Sequence, residues 1–188
     1  VIWRDLNQVV ASRLLGEPIR ILDIGGGLGH LSTKLSLMGH QVSYNDISRS
    51  MMLEARNLAK KNDQLNRINW YNCPYQDLTS EILGQFDLIM CHAVIEWLAH
   101  PDKLIGALTE LKAKNGVISL TFYNQNSLIY RNLLKGNFRV LESEFNADPG
   151  SLTPHTPFLP ESILLWTKAN NLELLESSGI RVFFDYIT

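Results

Sequence analysis

Apolar positions recur along the chain with two different periods. In the first fifteen residues Ile2, Leu6, Val9 and Val10 fall on one helical face, with Trp3 and Leu14 nearby, and Gly16-Glu17-Pro18 ends the pattern. A continuous apolar run, Ile19 to Ile24, follows and closes on three consecutive glycines. From there, runs of strand character at Gln41–Asp46, Arg67–Cys73, Phe86–Cys91 and Gly116–Tyr123 alternate with helical patterns at Gly29–Met38, Arg49–Lys61 and Pro101–Lys112. The alternation predicts an α/β fold, a doubly wound, Rossmann-like and mostly parallel sheet. Right-handed crossovers then bring the C-terminal ends of the strands to one edge, where ligands bind near the reversal of strand order.

After Tyr123 the periodicity loosens. Asn126–Lys135 keeps a helical pattern. Glu142–Pro160 is rich in proline and small polar residues and predicts a loop or lid insertion at about 142–160. A helix is expected at Pro160–Asn170 and one or two strands within Leu172–Tyr186. There is no internal repeat, and residues 1–188 read as one domain.

Composition narrows the class. Apolar residues make up 45% and charged residues 19%, enough for a core and too little charge for a disordered chain. No apolar run is long enough to span a membrane. With 17 Lys and Arg against 19 Asp and Glu, the chain as a whole is not a basic nucleic-acid binder, which leaves room for a local basic patch. Cys73 and Cys91 have neither zinc-site nor disulfide spacing and read as buried thiols in a reducing, cytoplasmic compartment. No signal peptide is visible. The chain opens on Val1, not Met, and an N-terminal segment is expected before it. The histidines are scattered without ligand spacing, so no metal is expected.

The strongest chemical signal is Ile21-Leu22-Asp23-Ile24-Gly25-Gly26-Gly27-Leu28-Gly29-His30. Here a strand ends, the backbone turns tightly and a helix begins. Glycines let the main chain approach a ligand, and the helix offers unpaired N–H groups. The spacing of Gly25, Gly27 and Gly29 is G-x-G-x-G, one residue shorter than the dinucleotide fingerprint. Asp23 inside the strand end is also foreign to that fingerprint. A carboxylate there orients the loop or meets a cationic ligand. Asp46 closes the next strand, in Tyr44-Asn45-Asp46-Ile47-Ser48, where an acid accepts from ribose hydroxyls. Ser48 is placed to cap the following helix, bringing Met51 beneath the nucleoside.

These residues resemble the class I S-adenosylmethionine-dependent methyltransferases. The resemblance implies that Gly25, Gly26 and Gly27 line the amino-acid end of S-adenosylmethionine and that Asp46 holds the ribose, with Asp23, Gly29, Ile47 and Met51 as further cofactor-binding candidates. It further implies that Tyr75, Gln76 and Asp77 sit by the adenine and His92 by the methionine portion. Lys114-Asn115-Gly116 stands where the family has a turn before the fifth strand.

Further strings are similar to the bacterial tRNA 5-carboxymethoxyuridine methyltransferases. They are His92-Ala93-Val94-Ile95-Glu96-Trp97, Phe122-Tyr123-Asn124, Gly136-Asn137-Phe138 and Arg181-Val182-Phe183-Phe184-Asp185-Tyr186, with Ile2-Trp3-x-Asp5-Leu6 in the opening helix. That resemblance implies methylation of a carboxylate on a wobble uridine of tRNA, to a methyl ester. It also implies an N-terminal segment with a cofactor-binding arginine and a basic C-terminal extension with the last strand, neither within this sequence.

A carboxylate acceptor is already ionised at neutral pH and needs no general base. The acceptor-side candidates are His92, Tyr123, Asn124 and Arg131, with Arg181 and Tyr186 from the late segment, and Arg131 is the favoured anion partner because guanidinium groups pair well with carboxylates. Trp97 is expected in the core or against the cofactor cleft. Three competing readings remain: a methyltransferase for a small carboxylic acid or quinone precursor, a nicotinamide-dependent oxidoreductase, and a cofactor-binding module without catalysis.

Overall fold

The computed structural model describes residues 1–13, 18–138 and 156–180, with the backbone alone at residues 9–13 and at Ile82. Five strands form one sheet: β1 (Arg20–Ile24), β2 (Gln41–Asn45), β3 (Ile68–Tyr71), β4 (Phe86–His92) and β5 (Lys112–Thr121). Their order is β3-β2-β1-β4-β5, and every neighbouring pair is parallel. The chain steps outward from β1 to β3 and then crosses back to β4. The order therefore reverses between β1 and β4, the place where such sheets bind ligands.

The helices are α1 (Ile2–Arg13), α2 (His30–Leu37), α3 (Arg49–Lys61), α4 (Ser80–Leu83), α5 (Pro101–Leu111), α6 (Gln125–Leu134) and α7 (Pro160–Ala169). α5 and α7 both open on proline, whose missing N–H costs nothing in a first turn. Ser48 caps α3, its Oγ accepting from the Met51 N–H at 3.4 Å.

Side chains alternate across the sheet and form two core layers. Ile21, Val42, Tyr44, Leu88 and Met90 face Leu6 of α1, Leu35 of α2 and Met52, Ala55 and Ala59 of α3. Leu22, Ile24, Ile89 and Cys91 face Leu104, Leu108 and Leu111 of α5, with Phe158 and Ile163. The central strands are apolar on both faces because helices cover both.

Four expectations change. Lys114-Asn115-Gly116 does not form a turn, because α5 ends at Leu111 and β5 starts at Lys112. The three residues lie inside β5, at a bulge. Phe86 pairs with Lys112 while Leu88 pairs with Val117, so β5 advances five residues for two on β4. A Cβ at Gly116 would stand 2.6 Å from the Phe86 carbonyl oxygen, so glycine is what lets the strands close there. Residues 172–180 carry no strand, and 181–186 lie outside the described residues. Cys73 is only half-buried, whereas Cys91 is buried as expected.

The fourth change concerns the insertion. The Phe158 N–H donates to the Tyr123 carbonyl at 2.9 Å, and the Gln125 N–H donates to the Phe158 carbonyl at 3.0 Å. The start of α6 and Phe158 thus meet at the end of β5. Of the expected lid, residues 142–155 lie outside the described residues, while Phe158 is buried in the core against Trp166 of α7.

Candidate active site

The glycine loop leaves β1 at the sheet centre. Gly25, Gly27 and Gly29 all have positive φ, at 64°, 55° and 71°. Two positions show what the loop requires. At Gly26 a Cβ would stand 2.6 Å from the Tyr44 ring and 2.9 Å from Asp23 Oδ2. At Gly29, which caps α2, a Cβ would stand 2.7 Å from the Ala55 Cβ, so glycine lets α2 lie close on α3. Gly27 differs: nothing lies within 4 Å of the position its Cβ would take.

Two buried acids flank the loop. Asp23 Oδ2 accepts from the Ser32 hydroxyl at 2.6 Å. Burial raises its pKa to about 6, the Asp46 charge adds to the rise, and the Ser32 hydrogen bond opposes it. Asp46 spans two loops: Oδ2 accepts from the Gly27 N–H at 3.0 Å and Oδ1 from the Ser48 N–H at 2.7 Å. Tyr44, two residues earlier and on the same sheet face, donates its hydroxyl to the Gly27 carbonyl at 2.6 Å. Burial pushes that phenol well above its ordinary value, so it stays a donor. The loop after β2 is tied in turn to β3, since Asn72 Nδ2 donates to the Asp46 carbonyl at 2.7 Å.

Beside Asp46, Ile47 is 72% exposed and Met51 is also exposed, an apolar shelf open at the sheet edge. Gln76 and Asp77 are exposed on the short turn after β3. Tyr75 departs from expectation: its ring is buried with Leu22, Ile24 and Leu78, so it presents no face at the edge.

His92 ends β4. Its Nε2 lies 2.9 Å from the Ser119 hydroxyl, and its buried Nδ1 has no hydrogen-bond partner among the described residues. Burial lowers its pKa to about 4, so the imidazole is neutral at pH 7. The next residue, Ala93, has φ 55° and is held by Thr121, whose carbonyl and hydroxyl accept from its N–H at 3.2 and 3.0 Å. Val94 then closes on the loop: a Cβ at Gly25 would stand 2.3 Å from its Cγ2. Glu96 is buried with Oε2 unpartnered among the described residues, and burial raises its pKa. Trp97 is exposed and lies outside the core.

On the acceptor side, Tyr123 and Asn124 are half-buried at the end of β5. The Asn124 side-chain oxygen is engaged in capping α6, accepting from the Asn126 N–H at 2.9 Å. Arg131 is exposed on α6. Arg181 lies outside the described residues. The glycine loop, Asp46, Gln76, Asp77, His92, Tyr123 and Asn124 lie at the C-terminal ends of the strands along one sheet edge, whereas Arg131 stands away from it on α6. Sequence reasoning missed Ser32, Tyr44, Asn72, Ser119 and Thr121. Only Tyr44 carried a signal, the period-two alternation that puts it on the Asp46 face.

This edge fits a nucleoside that carries positive charge. Two carboxylates flank the loop, the backbone is open at Gly27, and the exposed Ile47 and Met51 offer apolar contact. A pyrophosphate would meet the same two acids unfavourably. The class that this sheet and loop define is the S-adenosylmethionine-dependent methyltransferases.

Comparison with known proteins gives the same class. The chain belongs to the methyltransferase-domain family, which matches residues 22–118, more than half its length. Over all 188 residues it is 32% identical to the tRNA 5-carboxymethoxyuridine methyltransferase of Escherichia coli (strain K12), of which it covers 72%. It is 30% identical over 161 residues to the ubiquinone biosynthesis O-methyltransferase of Coxiella burnetii (strain RSA 493 / Nine Mile phase I), covering 85% of this chain and 66% of that protein. The fold is shared with magnesium protoporphyrin IX methyltransferase from Synechocystis PCC 6803, solved with bound SAH: TM-score 0.73 at 19% identity, over 97% of this chain and 77% of that one. The protein is an S-adenosylmethionine-dependent methyltransferase.

Proposed function

We propose that the chain methylates the carboxylate of 5-carboxymethoxyuridine at the tRNA wobble position, forming a methyl ester, in the cytoplasm. The observation that carries this reading is the likeness to the Escherichia coli tRNA enzyme along the whole chain. The chemistry of the site supports it. His92 at pKa about 4 is a poor proton acceptor, and a carboxylate arrives without a proton to remove.

S-adenosylmethionine, when bound, supplies an activated methyl group on a sulfonium. In this reading Gly25, Gly26 and Gly27 line its amino-acid end, with Asp23 behind the loop and Gly29 letting α2 close on α3. Asp46, Ile47 and Met51 hold the nucleoside side, Gln76 and Asp77 the adenine, and His92 borders the methionine portion. Tyr123, Asn124, Arg131 and Arg181 form the acceptor side. Their task is to hold the acceptor anion in line and exclude water. Residues 1–188 act as one domain.

A small-molecule acceptor is the second reading, favoured by the likeness to the ubiquinone biosynthesis enzyme and by the net charge of −2. The discriminating experiment incubates the protein and cofactor with tRNA that carries the free carboxymethoxy group, then analyses the digested nucleosides by mass spectrometry. A methyl ester at the wobble nucleoside is expected. Unchanged tRNA, together with methylation of small acids or quinone precursors, favours the second reading.

A further inference from the structure

Helix α6 is amphipathic in the wrong sense for a solvated helix. Its inward positions are Leu128 and the polar Asn132, whose side chain turns back onto the Leu128 carbonyl. Its outward positions and those just beyond it include Leu133, Leu134 at 55% exposure and Phe138 at 59%, interleaved with the exposed cations Arg131 and Lys135. The sequence around it is one-sided in charge. Residues 111–141 contain five Lys and Arg (Lys112, Lys114, Arg131, Lys135, Arg139) and no Asp or Glu, although acids outnumber bases in the whole chain. Lys112 and Lys114 lie at the opposite end of β5, so Arg131 and Lys135 are the described cations of this patch that rise from the acceptor edge at Asn124.

We propose that the C-terminal end of α6 and the turn after it, with Leu134, Lys135 and Phe138 at the centre, dock a single-stranded loop of the RNA acceptor. The proposal rests on the tRNA reading above. The exposed Phe138 ring can stack on an unpaired base, and the exposed Arg131 and Lys135, with no Asp or Glu between residues 125 and 138, can meet phosphates. A second copy of this chain fits less well, since a two-fold contact through α6 would bring Arg131 and Lys135 against their own like charges. The acceptor nucleotide must also reach the end of β5, where α6 begins.

The test uses the full chain and an RNA stem-loop bearing 5-carboxymethoxyuridine in its loop. Phe138→Ala and Lys135→Glu are each expected to raise KM for the stem-loop about tenfold. Turnover at saturating RNA and the Kd for S-adenosylhomocysteine should stay at the wild-type value. Lys135→Arg should restore KM, and Lys135→Glu should flatten its salt dependence. Both side chains are exposed, and thermal melts of the variants should match the wild type.

If the wild type methylates the stem-loop and the variants keep its KM, the docking proposal fails while the tRNA reading stands. A loss in turnover instead of KM also overturns the proposal, because it assigns these residues to the reacting centre. A dimer that Phe138→Ala dissociates without altering KM assigns the face to a second copy. A wild type that neither binds nor methylates the stem-loop overturns both the tRNA reading and this proposal.

Discussion

Gly27 and Asp46 stand 19 residues apart in the chain, and the Gly27 N–H donates to Asp46 Oδ2 at 3.0 Å. The other carboxylate oxygen takes the Ser48 N–H. One side chain at the end of β2 therefore fixes both the glycine loop and the start of α3. The acid expected to meet ribose hydroxyls also organises the glycine loop.

Asp46→Asn keeps the shape but leaves one acceptor oxygen where two are used. A hydrogen bond to a charged group contributes about 1.5–3 kcal/mol. The affinity for S-adenosylhomocysteine should therefore fall by roughly ten- to a hundred-fold, read by titration calorimetry. An unchanged Kd would contradict the assignment of Asp46 to the cofactor side.

Gly26→Ala and Gly27→Ala separate two effects that a glycine motif mixes together. The Gly26 Cβ would run into the Tyr44 ring and the Asp23 carboxylate, overpacking that costs about 1–3 kcal/mol. The Gly27 Cβ meets no protein atom, and only its left-handed backbone is strained, by about 1–2 kcal/mol. Both variants should melt several degrees lower. Loss of the Tyr44–Gly27 and Asp23–Ser32 hydrogen bonds is expected for Gly26→Ala alone, visible as a changed Tyr44 environment in near-ultraviolet spectra. Indistinguishable spectra would contradict this geometry.

Asp23 makes stability depend on pH in an unusual direction. Its folded pKa, about 6, lies above the ordinary 3.8. Between those values the folded protein binds the proton and the unfolded chain releases it. This stabilisation is complete below pH 3.8 and is lost as pH rises through 6. His92 acts oppositely: its folded pKa of about 4 lies below the ordinary 6.5, so its contribution is lost as pH falls through 4. The two partly cancel in the wild type. The Asp23 effect is therefore read on Asp23→Asn, whose stability relative to wild type should improve from pH 4.5 to 7.5 in urea melts. A constant difference across that range would mean the Asp23 pKa is ordinary.

The same His92 shift predicts the rate profile. With neither a base to deprotonate nor an acceptor proton to remove, kcat/KM should be flat from about pH 7 to 9, above the Asp23 titration. A tenfold rise per pH unit would mean that an acceptor proton must leave first.

The sheet and the glycine loop were legible because both follow from local pattern. Apolar runs of strand length alternate with helical periods, and Gly25 to Gly29 interrupt the first crossover at the one place where backbone must be bare. What was not legible depends on contacts distant in sequence. Tyr75 looked like an adenine neighbour by position, but the turn at Tyr75–Asp77 directs its ring into the core. Lys114-Asn115-Gly116 has turn chemistry, yet pairing with β4 absorbs it as a bulge. The tie between Tyr123 and Phe158 crosses a long segment and leaves no periodic trace. Of the two places expected for Trp97, the core and the cofactor cleft, the turn after β4 leaves it out of the core.

The central claim is methyl transfer to a wobble carboxylate, and alkali lability tests it most directly. The protein is incubated with methyl-labelled S-adenosylmethionine and tRNA from cells lacking the enzyme, and label in the tRNA is counted before and after mild alkali. The account predicts label that enters the tRNA and is released by alkali, as a methyl ester must be. Label that survives alkali would place the methyl on nitrogen, carbon or ribose, and tRNA that stays unlabelled while the protein binds cofactor would contradict the claim outright.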